Sequence, residues 1–403
     1  MRSVAQHQRV VSELITARPA TTVGLVDAAG LVLAHDVIAG LSLPVFDNSS
    51  MDGYAVRYED VVGASVENPV KLSVAEDIPA GRTDKLTLIA GTAHRIMTGA
   101  PMPSGATAVV AVESTDGGVE TVAISVSPKP GQHIRRAGED VAAGTTVLHA
   151  GQVVGPAALG LVAALGIDEL SVIPRQRVLV ISTGSELVAA GTPLRPGQIY
   201  ESNAVMLAAA VRDAGAEVVA TATCDDDAAR FTALLDSHAG RADLIITSGG
   251  VSAGAYEVVK DAFGTDGHGG VEFVKVAMQP GMPQGAGRTA TGTAIVTLPG
   301  NPVSALVSFE VFIRPALRAA MGCADPHRPV RSAVLAEALA SPAGRRQFRR
   351  GVYDRDSGTV VSYGPPASHH LRWLASADCL LDISEDVTAL AVGEQVELWD
   401  LAP

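Results

Sequence analysis

DLIITSGGVSAGAYEVVK, residues 243–260, reads as a short apolar strand that stops at the glycine pair Gly249 and Gly250 and gives way to a helix. Three further runs share its character: RVLVIST (177–183), EVVATATC (217–224) and TAIVTLP (293–299). Runs this short, β-branched and apolar at successive positions are strands buried on both faces, which requires a parallel sheet covered by helices. Between them, Ser202 is expected to cap a helix through Arg212 that stops at Gly215, and Asp225 or Asp226 to cap one through His238. Asn301 with Pro302 is expected to open a helix ending near Gly322. In that helix Leu306, Phe309, Ile313 and Leu317 share a face, and Pro315 should kink it. The alternation predicts a doubly wound parallel-sheet α/β domain over 175–325.

Upstream, 43–138 contains the β-like pieces YAVRYED (54–60), KLTLIAG (85–91), TAVVAVES (107–114) and VETVAISVS (119–127), broken by Gly and Pro, and predicts a β-rich domain. Its flanks, VDAAGLVLAHDVIAG (26–40) and VAAGTTVLHAGQVVGPAALGLVAALGI (141–167), resemble each other. The β-rich domain is therefore expected to be inserted into a linking domain made of 1–42 and 139–174, with an N-terminal helix packing on the α/β domain. After 326 the chain reads as strands again, through SAVLAEAL, FRRGVYD, TVVSYG, CLLDI and EQVELWD, with a hairpin turn at RDSG and a short helix near Leu371. A small C-terminal β-barrel over 326–403 is expected.

The length, 403 residues, allows two to four domains at about 150 residues each. A net charge of −13 has the wrong sign for neutralising a nucleic-acid backbone or lying on an anionic membrane, so neither partner is expected. Cys224, Cys323 and Cys379 form no CxxC pair, which suits a reducing cytoplasm. The opening MRSVAQHQRVVSEL is interrupted by Arg2, Arg9 and Glu13, and the uncharged run 153–167 is shorter than the roughly 18 residues of a membrane span. A cytoplasmic protein is expected.

Chemistry is expected at the carboxyl ends of the strands, where open α/β sheets bind ligands. At Ser248, Gly249, Gly250 and Ser252, backbone N–H groups beside residues with little or no side chain can cradle an anion, although a GG pair alone is equally a tight turn. A Gly250→Val change is expected to obstruct the ligand and spare the strand and helix. Pro299, Gly300, Asn301, Pro302 and Ser304 form a second such turn. Glu186, Asp225 to Asp227 and Glu257 gather at the same edge, and carboxylates beside an anion cradle call for a hard divalent cation, Mg²⁺ being the economical choice. No GxGxxG follows the first strand and no GK[ST] occurs, so a nucleotide-binding Rossmann or P-loop protein is excluded. His369 and His370 read as a surface turn rather than a zinc site.

DNSSMDGYAVR (47–57), RIMTGAPMP (95–103), RRAGEDV (135–141), STGSEL (182–187), TSGGVSAGAYEVVK (247–260) and LPGNPVSA (298–305), in this order, resemble the molybdopterin molybdenumtransferase family, which includes the E domain of gephyrin. The resemblance implies an elongated homodimer of four-domain subunits with shared active sites. It implies Mg²⁺-dependent insertion of molybdenum from molybdate into adenylylated molybdopterin, with release of AMP. Asp52, Thr98, Asp140, Glu186, Asp226 and Lys275 fall on functional family positions, as do Pro299, Pro302 and Ser368. Glu186, Asp226 and Glu257 are the expected Mg²⁺ ligands. Transient contacts with the adenylyltransferase and with molybdoenzymes are implied as well. The chain departs from the family at Glu257, where an aspartate is common, and at Gln279 and Met282, where lysines are common. Lys275 and the arginines of GRRQFRR (344–350) are left to supply positive charge. The alternatives are a scaffold that binds molybdopterin or a partner without turnover, and the preceding adenylylation; the acidic set disfavours the first and the long flanking domains the second.

Overall fold

The computed structural model describes residues 1–250, 258–264 and 270–402. By internal contacts the chain forms two units, one made of 23–29 and 35–170 and the other of 1–22, 30–34 and 171–403. Among the described residues no helix is long and apolar enough to cross a membrane.

The first unit is built on a five-stranded sheet of β1 (Gly53–Val56), β2 (Val70–Ile78), β3 (Thr92–Ile96), β4 (Ala108–Ala111) and β5 (Thr121–Ile124), in the order β4-β1-β3-β2-β5. Tyr54, Val56, Leu72, Val110, Val122 and Ile124 fill one core of this sheet, and Ala55, Ile78, Ile96 and Val109 fill another. Alternation sends neighbours such as Tyr54 and Ala55 to opposite faces. The piece 85–91, expected to be a strand, holds one isolated bridge at Thr87, whereas VKLSVAEDI and TAHRI, which carry charges, are strands. Their charged residues stand at less buried positions of an alternating pattern, which the search for apolar runs overlooked. A separate small core joins Ala39, Leu41 and Leu43 to Val141, Leu161 and Leu165.

In the second unit the four expected strands are β6 (Arg177–Thr183), β7 (Glu217–Cys224), β8 (Leu244–Ser248) and, after two more, β11 (Ala294–Leu298). They pair in parallel in the order β7-β6-β8-β11. The doubly wound α/β fold is thus present, extended at one edge by β10 (Pro283–Arg288) and β9 (Val271–Lys275), both antiparallel to their neighbours. The sequence reading lacked this hairpin. Its β10 contains Gly285, where a Cβ would lie 2.1 Å from the Thr297 hydroxyl, so close packing excludes the residue types that mark a strand. Val178, Val180, Leu244 and Ile246 face one core, with the helices Val4–Leu14, Asn203–Asp213 and Pro302–Ser308; Leu179, Ile181 and Ile245 face the other, with Ala228–Ser237 and Val258–Phe263.

Helix ends differ in detail from expectation. Asp227, not Asp225 or Asp226, caps Ala228–Ser237 by accepting from the Ala229 and Arg230 N–H groups. Ser202 is the cap residue of Asn203–Asp213 without a side-chain bond, and the Glu201 carboxylate takes the Ala204 N–H instead. The helix from Pro302 is interrupted by a π-helical turn, Phe309–Ile313, before Arg314–Ala320. Pro315 has no N–H for the Val311 carbonyl, and Gln8 Nε2 donates to it at 3.2 Å.

The C-terminal strands β12 (Val330–Leu335), β13 (Arg346–Asp354), β14 (Thr359–Ser362), β15 (Cys379–Ile383) and β16 (Gln395–Asp400) close into a five-stranded barrel, β12-β14-β13-β15-β16 and back to β12. Met278 and Gln279 pair in parallel with Arg346 and Gln347, so the segment after β9 is hydrogen-bonded to a barrel strand.

His7, on the N-terminal helix, is fully buried, edge-on to Phe312 at 4.7 Å. Burial, reinforced by the Arg2 guanidinium and opposed by Glu272, pushes its pKa down from 6.5 to about 4. The folded state holds the neutral ring, so the stability from His7 is full above pH 6.5 and is lost as pH falls toward 4, by about 3 kcal/mol. Urea denaturation should therefore show wild type losing about 2 to 3 kcal/mol more than His7→Leu between pH 7.5 and 4.5. Equal losses would mean that the ring is protonated in the fold.

Candidate functional site

After β6 the chain crosses to β7 on one side and returns to β8 on the other, so the loops leaving β6 and β8 diverge and open a crevice. Its floor is polar. Ser182 and Ser248 are paired in register, their hydroxyls 3.1 Å apart, and the Ser182 hydroxyl donates to Glu201 Oε1 at 2.8 Å. The Glu201 carboxylate thus serves both the crevice floor and the helix after it, a role that sequence reading missed because Ser202 beside it is the better-known cap type.

Gly249 and Gly250 have φ of +94° and +67°, conformations that L side chains rarely adopt. A Cβ at Gly249 would lie 2.7 Å from the Thr183 carbonyl oxygen, and one at Gly250 2.8 Å from Val259 Cγ2. The expectation that Gly250→Val would merely obstruct a ligand is corrected: the added side chain strikes the helix that follows. Ser252 and Glu257, the remaining expected residues of this turn, lie outside the described residues.

Gly300 approaches the same turn, since a Cβ on it would be 3.5 Å from Gly249 Cα. Asn203 Nδ2 donates to the Gly300 carbonyl at 2.7 Å, while Asn203 Oδ1 is buried without a partner. Asn301 stands at the helix start without a side-chain cap bond, Pro302 follows as the first helical residue, and Pro299 and Ser304 are buried.

The acidic residues separate by role. Asp227 caps a helix and Asp225 pairs with Arg230 at 2.5 Å, so both are engaged in local structure. Asp226 reaches to the loop after β6, its Oδ2 accepting from the Ser185 N–H and its own N–H donating to Ser185 Oγ, each at 3.1 Å. Glu186 is the next residue, and its carboxylate folds over Gly184, where a Cβ would be 2.6 Å from Oε2. The glycine is what admits this carboxylate. Among the described residues no cluster of three His, Cys, Asp or Glu could hold a metal. Glu186 and Asp226 lie on loops joined through Ser185, and Mg²⁺ ordinarily takes one or two carboxylates and completes its shell with water and substrate phosphate oxygens.

Beside Gly300 lies a cavity of about 430 Å³, walled by Gln279, Pro280, Met282, Asn301, Ser304, Arg345, Ser368 and His369 among others. No Asp or Glu is among its described lining residues. Arg346, the neighbour of Arg345, is neutralised by Asp382 at 2.7 and 2.5 Å. Gln279 accepts from Gln347 Nε2 at 3.2 Å. Lys275 is not a wall residue; it is exposed at the end of β9, and its carbonyl takes the Arg2 N–H. His369 was expected only to decorate a turn, and nothing local in the sequence marks it as a wall residue, because the loop that carries it is positioned by a distant strand.

In the other unit, Asp52 and Thr98 come together. Asp52 Oδ1 accepts from the Thr98 N–H at 2.7 Å and from its hydroxyl at 2.8 Å, and these two bonds hold the carboxyl below its ordinary range. Asp140 is exposed, its N–H bonded to the Leu43 carbonyl.

Comparison with known proteins gives consistent findings. Three family models match in succession: the MoeA N-terminal region (domain I and II) over 2–166, a probable molybdopterin binding domain over 179–319, and the MoeA C-terminal region (domain IV) over 332–401. Molybdopterin molybdenumtransferase 2 of Mycobacterium tuberculosis strain H37Rv is 72% identical over 405 residues, covering 100% of both chains. Molybdopterin molybdenumtransferase of Haemophilus influenzae is 36% identical over 382 residues, 93% of this chain and 92% of that one. Among solved structures, the molybdopterin biosynthesis MoeA protein of Pyrococcus horikoshii is similar with a TM-score of 0.84 at 29% identity, over 100% of this chain and 99% of its own.

The contact of Gly250 with Val259 sets a stability test. Gly250→Val should cost about 2 to 4 kcal/mol, from the left-handed backbone and the overlap together. Denaturant titration checks this, and a loss under about 0.5 kcal/mol would mean that the turn adopts another conformation.

Proposed function

Since the chain belongs to the molybdopterin molybdenumtransferase family, we propose that it takes adenylylated molybdopterin and molybdate, acts with Mg²⁺, and releases AMP with the molybdenum-loaded pterin. The observation that carries this reading is the cavity with Arg345 on its wall and no carboxylate among its described lining residues, in a chain of net charge −13, opening beside a crevice that does hold two carboxylates. Two kinds of anion would be handled there in different ways. In the crevice, Glu186 and Asp226 would hold Mg²⁺, whose charge would neutralise the phosphoanhydride oxygens during cleavage. The N–H groups of the Gly249 turn would bind a phosphate.

In the cavity, Arg345 would meet the oxyanion with a charge-assisted pair, and Ser304 and Ser368 would offer hydroxyl donors. Gln279 and Met282 bring no charge to the wall, which leaves Arg345 as the permanent cation among its described lining residues. The same reading includes a homodimer in which Asp52 of one subunit serves the site of the other, held ionised and oriented by Thr98. A two-fold axis makes that contact twice, giving two equivalent sites.

The direct test is to supply adenylylated molybdopterin, Mg²⁺ and molybdate and to measure AMP and loaded cofactor. No AMP from folded protein would overturn the transferase reading. In the same assay Asp226→Asn, which keeps the acceptor for the Ser185 N–H, should lower AMP release about tenfold or more and raise the Mg²⁺ requirement, with stability changed by less than about 0.5 kcal/mol. An unchanged Mg²⁺ dependence would move the metal elsewhere. Mixing Asp52→Ala with Asp226→Ala chains, each inactive alone, should restore about a quarter of wild-type activity after random reassociation. No recovery despite demonstrated subunit exchange would rule out shared sites.

A further inference from the structure

Asp52 precedes β1 and Thr98 follows β3, so both are exposed residues just beyond the ladder in which Gly53 pairs with Ile96. Ser49, fully buried, reaches both. On one side its Oγ donates to the Met51 carbonyl at 2.6 Å and accepts from the Met51 N–H at 3.3 Å. On the other, the Ser49 carbonyl accepts from the Gly99 N–H at 2.8 Å, and the Ser49 N–H donates to the Ala100 carbonyl at 3.1 Å. The residue before Asp52 and the residue after Thr98 are thus tied to the same serine. The segment is gripped from a third side as well, because the Ser50 N–H donates at 3.0 Å to the carbonyl of His133, a residue held at φ +58° in the left-handed region.

Pairing of Ser49 with Gly99 and Ala100 uses main-chain groups only and would be made by an alanine equally well. The hydroxyl is spent elsewhere: both of its bonds go to Met51, and so fix the main chain that carries Asp52. What this arrangement holds is a pair. Asp52 Oδ1 takes the Thr98 N–H and hydroxyl, and these two bonds keep its carboxyl below the ordinary range, with a smaller contribution from the Arg95 guanidinium, which itself lies 3.7 Å from Asp77. The bonds last only while both sides stay in place, so a change at Ser49 is to be read at Asp52, which Ser49 does not touch.

We propose that Ser49 is a positioning residue for Asp52: its hydroxyl sets the main chain before Asp52 and its own main chain sets the turn after Thr98, so that the Asp52–Thr98 pair is assembled before substrate arrives. That Asp52 serves the transfer reaction rests on the transferase reading; the hold of Ser49 on the pair does not. Alanine at 49 would remove the hydroxyl and keep the main-chain bonds to Gly99 and Ala100. Cysteine would fill much the same space with a group that donates and accepts only weakly.

The experiment uses the full chain with Ser49→Ala and Ser49→Cys. In Ser49→Ala, kcat for AMP release should fall about tenfold while KM for adenylylated molybdopterin stays within about threefold. The acid limb of the pH–kcat profile should move up by about one pH unit, because a carboxyl that loses its hydrogen bonds from Thr98 protonates at higher pH. Thr107→Ala serves as the control: it removes a hydroxyl that accepts the Tyr58 N–H at 2.7 Å elsewhere in the same unit, and should leave the limb where it is. An unchanged kcat and limb in folded Ser49→Ala, or the same displacement in Thr107→Ala, would overturn the proposal. Should the alanine variant fail to fold, the cysteine variant decides by the same criteria. Hydrogen exchange on the substrate-free chain separates the two readings, since it needs no turnover. Exchange at the Thr98 amide about tenfold faster in the variant, with β2 and β5 unchanged, supports the role of Ser49 even if wild type releases no AMP. Unchanged exchange at Thr98, or an increase spread over the whole sheet, rejects it.

Discussion

The arrangement of this site depends on one strand, β6, being paired in parallel on both sides, with β7 through seven residues and with β8 through five. Because the chain leaves β6 for one neighbour and comes back to the other, the loops at the ends of β6 and β8 are carried apart, and a crevice is the necessary result. The Ser182 and Ser248 hydroxyls across that pair, tied to Glu201, fix its floor. A slip of one residue would turn Ser182 to the opposite face and bring Ile181 or Thr183 into its place. The Asp226–Ser185 exchange and the approach of Gly300 to Gly249 are built on that register.

The elements legible in the sequence are those whose cause is local. β6, β8 and β11 are buried on both faces and β7, at the sheet edge, only in part, but the apolar runs of all four mark their positions closely. The five C-terminal strands were equally plain, but closure of the barrel depends on β13 meeting β15 and on β12 meeting both β14 and β16, and pairings at such separations leave no local trace. β2 and β3 were missed because one face of each carries charge, and β10 because its glycines answer to neighbours rather than to strand propensity. At the site, Glu186, Asp226 and the glycine turns could be singled out from residue type and position at strand ends. Glu201 and His369 could not, since each acquires its place through partners remote from any motif.

The arginines of 344–350 show how one strand entry can distribute charge. Arg346 is paired with Asp382, so its charge is spent locally, while Arg349 donates to the Ser362 hydroxyl and the Ala340 carbonyl. Arg350 is given only carbonyls, and Arg345 faces the cavity. A protein that is acidic as a whole thereby keeps a locally cationic recess, with the half-buried Arg345 on a wall whose described lining residues include neither a carboxylate nor a lysine. The two kinds of surface, a carboxylate-bearing crevice and a cavity with no carboxylate among its described lining residues, meet where Gly300 approaches Gly249.

The N-terminal helix has a consequence for biosynthesis. Its Gln8 occupies the carbonyl that Pro315 leaves without a donor, and Arg2 is hydrogen-bonded to the backbone on either side of Val276. These partners lie roughly three hundred positions away, so the helix leaves the ribosome well before nearly the last part of the α/β domain that covers it. At a synthesis rate of about 5 to 20 residues per second the interval is about 15 to 60 s. Throughout it, Val4, Val11 and Ile15 have no native surface to cover them. The nascent chain thus leaves the apolar face of this helix uncovered for that interval, which makes it a natural point of engagement for a holdase chaperone.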